Sequence, residues 1–133
     1  MTVLTDAETR STTLVADSNA PANACLFARA VLADWELSHL AADACACLTE
    51  LVVWLLANEP STLIEITLVW DGPLAFTEVS DHGRRLPNRA VWRSVDGGRA
   101  VGTLEAFSLE WDAEGKPRGR CLWASYHTGR DEQ

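Results

Sequence analysis

The chain has 133 residues, 47% of them hydrophobic, and 11 Lys and Arg against 19 Asp and Glu give a formal net charge of -8. That length fits one domain around one core, on a prior of roughly 100–200 residues per domain. So acidic a chain repels phosphate backbones and anionic lipid heads, which argues against nucleic acid and membranes as partners.

Residues 1–11 are polar and rich in Thr, Asp and Glu, and read as a flexible tail. They have neither the basic end nor the apolar run of a secretory signal. No later run reads as long and apolar enough to span a bilayer, so a cytoplasmic location is expected. A short β-branched strand is predicted over 12–15. Asp17, Ser18 and Asn19 then supply cap residues with Pro21 behind them, opening a helix over 22–35. Its apolar positions Leu26, Phe27, Ala30, Val31 and Ala33 recur at helical spacing.

Ser38 caps the second helix, and Pro60 stops it after Glu59. Residues 45–58 are its centre. Positions three, four or seven apart share a helix face, so Asp43, Cys47, Glu50, Trp54 and Asn58 form one stripe. Leu40, Ala44, Leu48, Val52 and Leu55 form a second, apolar stripe suited to packing on the rest of the fold. Glu50, inside so apolar a run, is either half-exposed at the edge of the protein or lines a cavity, because burying an unpaired charge is costly.

The period then changes. Residues 63–70 and 74–79 alternate around Asp71-Gly72-Pro73, which predicts a β-hairpin. Residues 80–98 form a long loop with one helical turn at 88–92, and loops of that length in a compact domain are usually functional. A helix over 98–107, a strand over 109–111, a hydrophilic turn over 112–119 and a last strand over 120–126 complete a domain over 12–127, with a second flexible tail at 128–133. The pattern is α+β: a two-layer sandwich, a mixed β-sheet with helices on one face.

Cys25, Cys45, Cys47 and Cys121 have no zinc spacing and read as reduced thiols in the core. His39, His82 and His127 are scattered, as surface residues are. Most of the six tryptophans should be buried. Trp92, in the long loop beside arginines, is the candidate exposed anchor for a partner, with Arg84 and Arg85 beside it.

Three segments carry a resemblance: Glu50-Leu51-Val52 on the central helix, Asp81-His82-Gly83 after the hairpin, and Gly97-Gly98-Arg99-Ala100-Val101-Gly102 before the last helix. In this order and separation they resemble the nucleotide-site motifs of the Bergerat-fold (GHKL) ATPases, above all the small bacterial anti-sigma-factor serine kinases. The likeness runs from about residue 12 to residue 126. It implies the Bergerat, histidine-kinase-ATPase-like version of the sandwich, and a homodimer.

The resemblance also assigns roles. Glu50 would be the general base towards the attacking hydroxyl. Asp81 would accept from the adenine amino group, and Gly83 would let the backbone approach the base. Gly98 and Gly102 would belong to the phosphate-cradling segment, although its second glycine is Ala100 here. The family's magnesium-holding Asn, four residues after the Glu, is replaced by Trp54, and its His by Asn58. Indole has no lone pair for a hard cation and would fill phosphate space, so Trp54 reads as pocket-blocking and Glu50 as vestigial.

No magnesium is then expected, and ATP remains possible. The implied function is non-catalytic: a regulator holding a sigma factor, an antagonist or another transcription regulator. Two alternatives remain open. One is an active ATP- and magnesium-dependent serine kinase; the other is a helix register that places Trp54 in the core and Glu50 on the surface.

Overall fold

Alternation through Leu63–Asp71 and Leu74–Asp81 makes the predicted hairpin, β2 and β3, around the Gly72-Pro73 turn. The other elements are β1 (Glu8–Val15), α1 (Ala20–Asp34), α2 (Ala41–Ala57), α3 (Arg89–Ser94), α4 (Arg99–Phe107), β4 (Glu110–Lys116) and β5 (Gly119–His127). Short 3-10 turns at Ser38–Leu40 and Val95–Gly98 lead into α2 and α4. The computed structural model describes residues 7–130.

The sheet order is β1-β2-β3-β5-β4, and every neighbouring pair is antiparallel, which corrects the expected mixed sheet. The connections explain it. The two helices between β1 and β2 run out and back, so the chain re-enters at the end it left, with Val15 opposite Leu63. β4 runs in the same direction as β3, but β5 folds back from it and inserts between them, so the parallel strands never touch.

One face of the sheet buries Ile64, Ile66 and Leu68 of β2, Ala75 and Val79 of β3, and Leu122, Ala124 and Tyr126 of β5 beneath the helices. Each aliphatic side chain buried this way is worth about 1.5–3 kcal/mol. Thr77 Oγ1 and Tyr126 OH, 2.8 Å apart, satisfy each other inside this layer. On the opposite face Thr67, Val69, Phe76, Glu78 and Trp123 are half-buried, and Cys121 and Ser125 are buried. The architecture is therefore a two-layer α+β fold.

Several local expectations are corrected. α1 begins at Ala20 and buries Ala20, Ala24, Ala28, Val31 and Leu32, while Leu26, expected inside, is 66% exposed. Alanine weighs little in a periodicity count, yet its small side chain lets α1 approach α2 closely. Residues 8–11, expected in a tail, are paired strand; residues 1–6 lie outside the described residues. Thr128, expected in the other tail, is buried and donates from its amide to Pro73 O (2.8 Å) and from Oγ1 to Gly72 O (3.0 Å). Residues 131–133 lie outside the described residues.

The expected hydrophilic turn at 112–119 is mostly the edge strand β4, polar because it faces water. One membrane expectation also changes. Ser38–Ala57, with a mean hydropathy of 1.8, is by length and composition apolar enough to cross a bilayer, but half of its most apolar stretch is buried inside the fold. Central packing accounts for its apolarity.

Candidate functional site

The polar stripe of α2 faces the segment between β3 and α4 across a cavity of about 420 Å3. Glu50, Val53, Trp54 and Asn58 supply one wall, and Leu86, Val91, Trp92, Val95, Asp96 and Arg99 supply much of the other. Of the stripe predicted from helical spacing, Glu50, Trp54 and Asn58 line this cavity, Glu50 at 7% exposure, whereas Cys47 is packed in the core and Asp43 lines a different hollow.

Glu50 is not alone there. Arg99 grips its carboxylate with both terminal nitrogens, Nη1 to Oε2 at 2.7 Å and Nη2 to Oε1 at 3.2 Å. Asp96 Oδ2 lies 3.3 Å from the same guanidinium. These bonds, Glu50's first, raise the Arg99 pKa further. Asp96 also reaches the start of α4: Arg99 N donates to its Oδ1 at 2.8 Å, and Ala100 N at 3.4 Å. Three successive left-handed residues, Asp96, Gly97 and Gly98 (φ 50, 68 and 84), bend the chain so that this carboxylate turns back over the helix. The helix-start amides that would meet a phosphate are therefore occupied by the chain's own side chain.

The cavity floor is aromatic. Trp54 packs on Trp92 with ring centroids 5.9 Å apart, and Trp92 meets Trp111 edge-on at 5.5 Å. Trp92, expected as an exposed anchor, is 7% exposed. Its neighbours explain the correction: α3 turns the indole inward between two other tryptophans, which the irregular sequence around it does not signal. Arg84 and Arg85 are exposed, as expected; Arg84 Nη1 donates to Pro117 O at 3.2 Å.

Asp81 stands elsewhere. It lines a separate hollow of about 350 Å3 at one end of the strands, together with Thr13, His82 and Arg118. Antiparallel register sets Asp81 opposite Arg120 on the inner face, and both side chains are fully buried. Arg120 Nε donates to Oδ1 at 2.7 Å and Nη2 to Oδ2 at 3.1 Å. The Gly83 and Ser61 amides add bonds at 2.9 and 3.4 Å. Burial pushes the Asp81 pKa up, but the Arg120 and Gly83 bonds outweigh it and hold the carboxyl below its ordinary value.

Arg120 also donates to the Arg85 and Glu59 carbonyls, and its Cζ lies 5.2 Å from the Trp54 ring centre. It thus joins Asp81 to Trp54 of the cavity wall.

The carried-over glycines separate in the same way. A Cβ on Gly83 would lie 2.5 Å from Arg120 Cζ, so this glycine makes room for the guanidinium. Gly83→Ala should cost about 1–3 kcal/mol in a urea unfolding titration, the scale of overpacking. Gly98 starts α4 in the left-handed region, and Gly102 faces open solvent on α4; neither lines the cavity, so the two are not brought to Glu50 as the phosphate assignment would require.

Sequence reasoning missed Arg120 and Asp96. A lone arginine opening an apolar strand is a signal, since a buried guanidinium needs an acid partner, and Asp81 ends the other strand of the pair. Among the described residues no group of three or more His, Cys, Asp or Glu could hold a metal ion. No protein-family model matches this chain, and no curated protein does either.

Proposed function

We propose that this chain is a non-catalytic regulatory protein, a degenerate relative of the anti-sigma-factor kinases of the Bergerat-fold class, holding a sigma factor, an antagonist or another transcription regulator by protein–protein contacts. One observation carries the reading: both acids of the carried-over motifs are held by the chain's own arginines, Glu50 by Arg99 and Asp81 by Arg120. Asp96 on the α4 amides and Trp54 at the family's magnesium-ligand position point the same way. These groups are a poor fit to a magnesium-bound triphosphate, whose phosphates need free amides and whose cation needs free oxygens.

Around the cavity mouth Val53, Leu86, Val91 and Val95 are 43–61% exposed, an apolar rim suited to a protein partner, with Arg84 and Arg85 nearby. Trp92 supports that rim from beneath. The protein is expected to work in the cytoplasm as a homodimer, with no nucleic acid and no membrane engaged.

The second reading, an active protein serine kinase, is favoured by one fact: Glu50 still faces a cavity of about 420 Å3. Calorimetry of the full chain with ATP, with and without magnesium, separates the two. No heat and no shift in melting temperature are expected. Magnesium-dependent heat, followed by labelled phosphate on a captured protein, would establish the kinase instead.

A further inference from the structure

The four thiols are free, and two of them, Cys25 on α1 and Cys45 on α2, each lie against the other's backbone carbonyl across the helix interface. Cys25 Sγ lies 3.6 Å from the Cys45 carbonyl oxygen, and Cys45 Sγ lies 3.8 Å from the Cys25 carbonyl oxygen. This reciprocal contact is possible because Ala24, Ala28 and Ala44 keep the helices close. Thr49 Oγ1, 3.6 Å from Cys25 Sγ, closes the group.

We propose that Cys25 and Cys45 are an oxidisable pair that closes into a disulfide between α1 and α2 when the protein meets a peroxide. The inference stands under either reading of the cavity.

The two thiols differ in the way such a reaction needs. Cys25 is half-buried, so an oxidant can reach it. Cys45 is 7% exposed, and burial, then the neighbouring Cys25 thiol, push its pKa up to about 11, with Arg29 opposing. Cys25, the thiol an oxidant can reach, therefore reacts first. Its sulfur attacks the peroxide: an S–O bond forms, the O–O bond breaks, and the departing hydroxide takes the proton the Cys25 thiol gives up, leaving a Cys25 sulfenic acid and one water. Cys45 sulfur then attacks that sulfur; the S–S bond forms, the S–O bond breaks, and the departing hydroxide takes the Cys45 proton as a second water. Two thiols lose two electrons, and one peroxide gains them.

The other cysteines provide the control. Cys47 lies beside Tyr126, whose hydroxyl is near enough to act on its titration, and Cys121 is on β5.

The test is to treat the reduced full chain with hydrogen peroxide, alkylate the remaining thiols and measure intact mass with and without dithiothreitol. Wild type, Cys47→Ala and Cys121→Ala should each lose two hydrogens, leave two fewer thiols to alkylate, and recover with dithiothreitol. Cys25→Ser and Cys45→Ala should form no such cross-link. Because Cys25 is half-exposed, Cys25→Ser should keep the fold and be decisive alone. The melting temperature of oxidised wild type should exceed that of reduced protein, since the cross-link restricts the unfolded chain. A cross-link that persists in Cys25→Ser, one that joins two chains, or full alkylation of wild type after peroxide would overturn the proposal.

Discussion

Arg120→Ala is expected to destabilise the protein by about 3–5 kcal/mol at neutral pH, the cost of stripping the partner from a buried charge. Asp81 and Arg120 are both fully buried, so water cannot re-solvate Asp81 as it would a surface acid. The Arg85 and Glu59 carbonyls lose a donor as well. Breaking the Glu50–Arg99 pair with Glu50→Gln should cost far less, because the Arg99 side chain is already 61% exposed and stays hydrated. Urea denaturation at pH 7 ranks the two; a loss for Arg120→Ala no larger than for Glu50→Gln would mean the buried pair is not what holds this end of the sheet together.

The pH dependence has a definite sign. Asp81's folded pKa lies below its ordinary value, so its pairing contributes stability above that ordinary value and loses it as the pH falls through the folded pKa. Wild type should therefore weaken on acidification below about pH 4. In Arg120→Ala the depressing partner is gone and burial dominates, so Asp81 accepts a proton sooner. The stability gap between the two proteins should be widest at neutral pH and narrow towards pH 3.

Trp92→Ala should cost about 3–5 kcal/mol, the range for removing a large aromatic side chain from a core. The indole fills the space between Trp54 and Trp111, and neither can collapse into the gap without giving up its own contacts: Trp54 sits over Arg120, and Trp111 under the Arg89 guanidinium at 4.1 Å. Near-ultraviolet circular dichroism should lose intensity from the coupled indoles. An exposed binding anchor would behave in the opposite way, leaving stability unchanged while partner capture failed. The measurement thus distinguishes the buried position from the exposed one the sequence suggested.

Much of the scaffold was legible because the hydrophobic period changes where the structure does. The hairpin at 63–81, the central helix and its polar stripe, and the helix before β4 follow directly from apolar spacing, Pro60 and the Gly72-Pro73 turn. That Glu50, Trp54 and Asn58 share one face was also legible, since an α-helix fixes it, whereas spacing left open whether that face met an edge or a cavity. α1 was placed, and Val31 is buried as expected, but Leu26 turned outward, because three alanines make up most of the buried face.

The sequence by itself determined the α+β class, the central helix and the acidic character, all of which depend on local period and composition. Tertiary structure alone decided which charges meet: Glu50 with Arg99 and Asp81 with Arg120 are 49 and 39 residues apart. It also decided that β5 inserts between β3 and β4, and that Trp92 points inward. The reason is physical. Local spacing sets the direction of a side chain within its own element, whereas its partner depends on strand register and on how the chain returns, and both are settled only when distant segments pack.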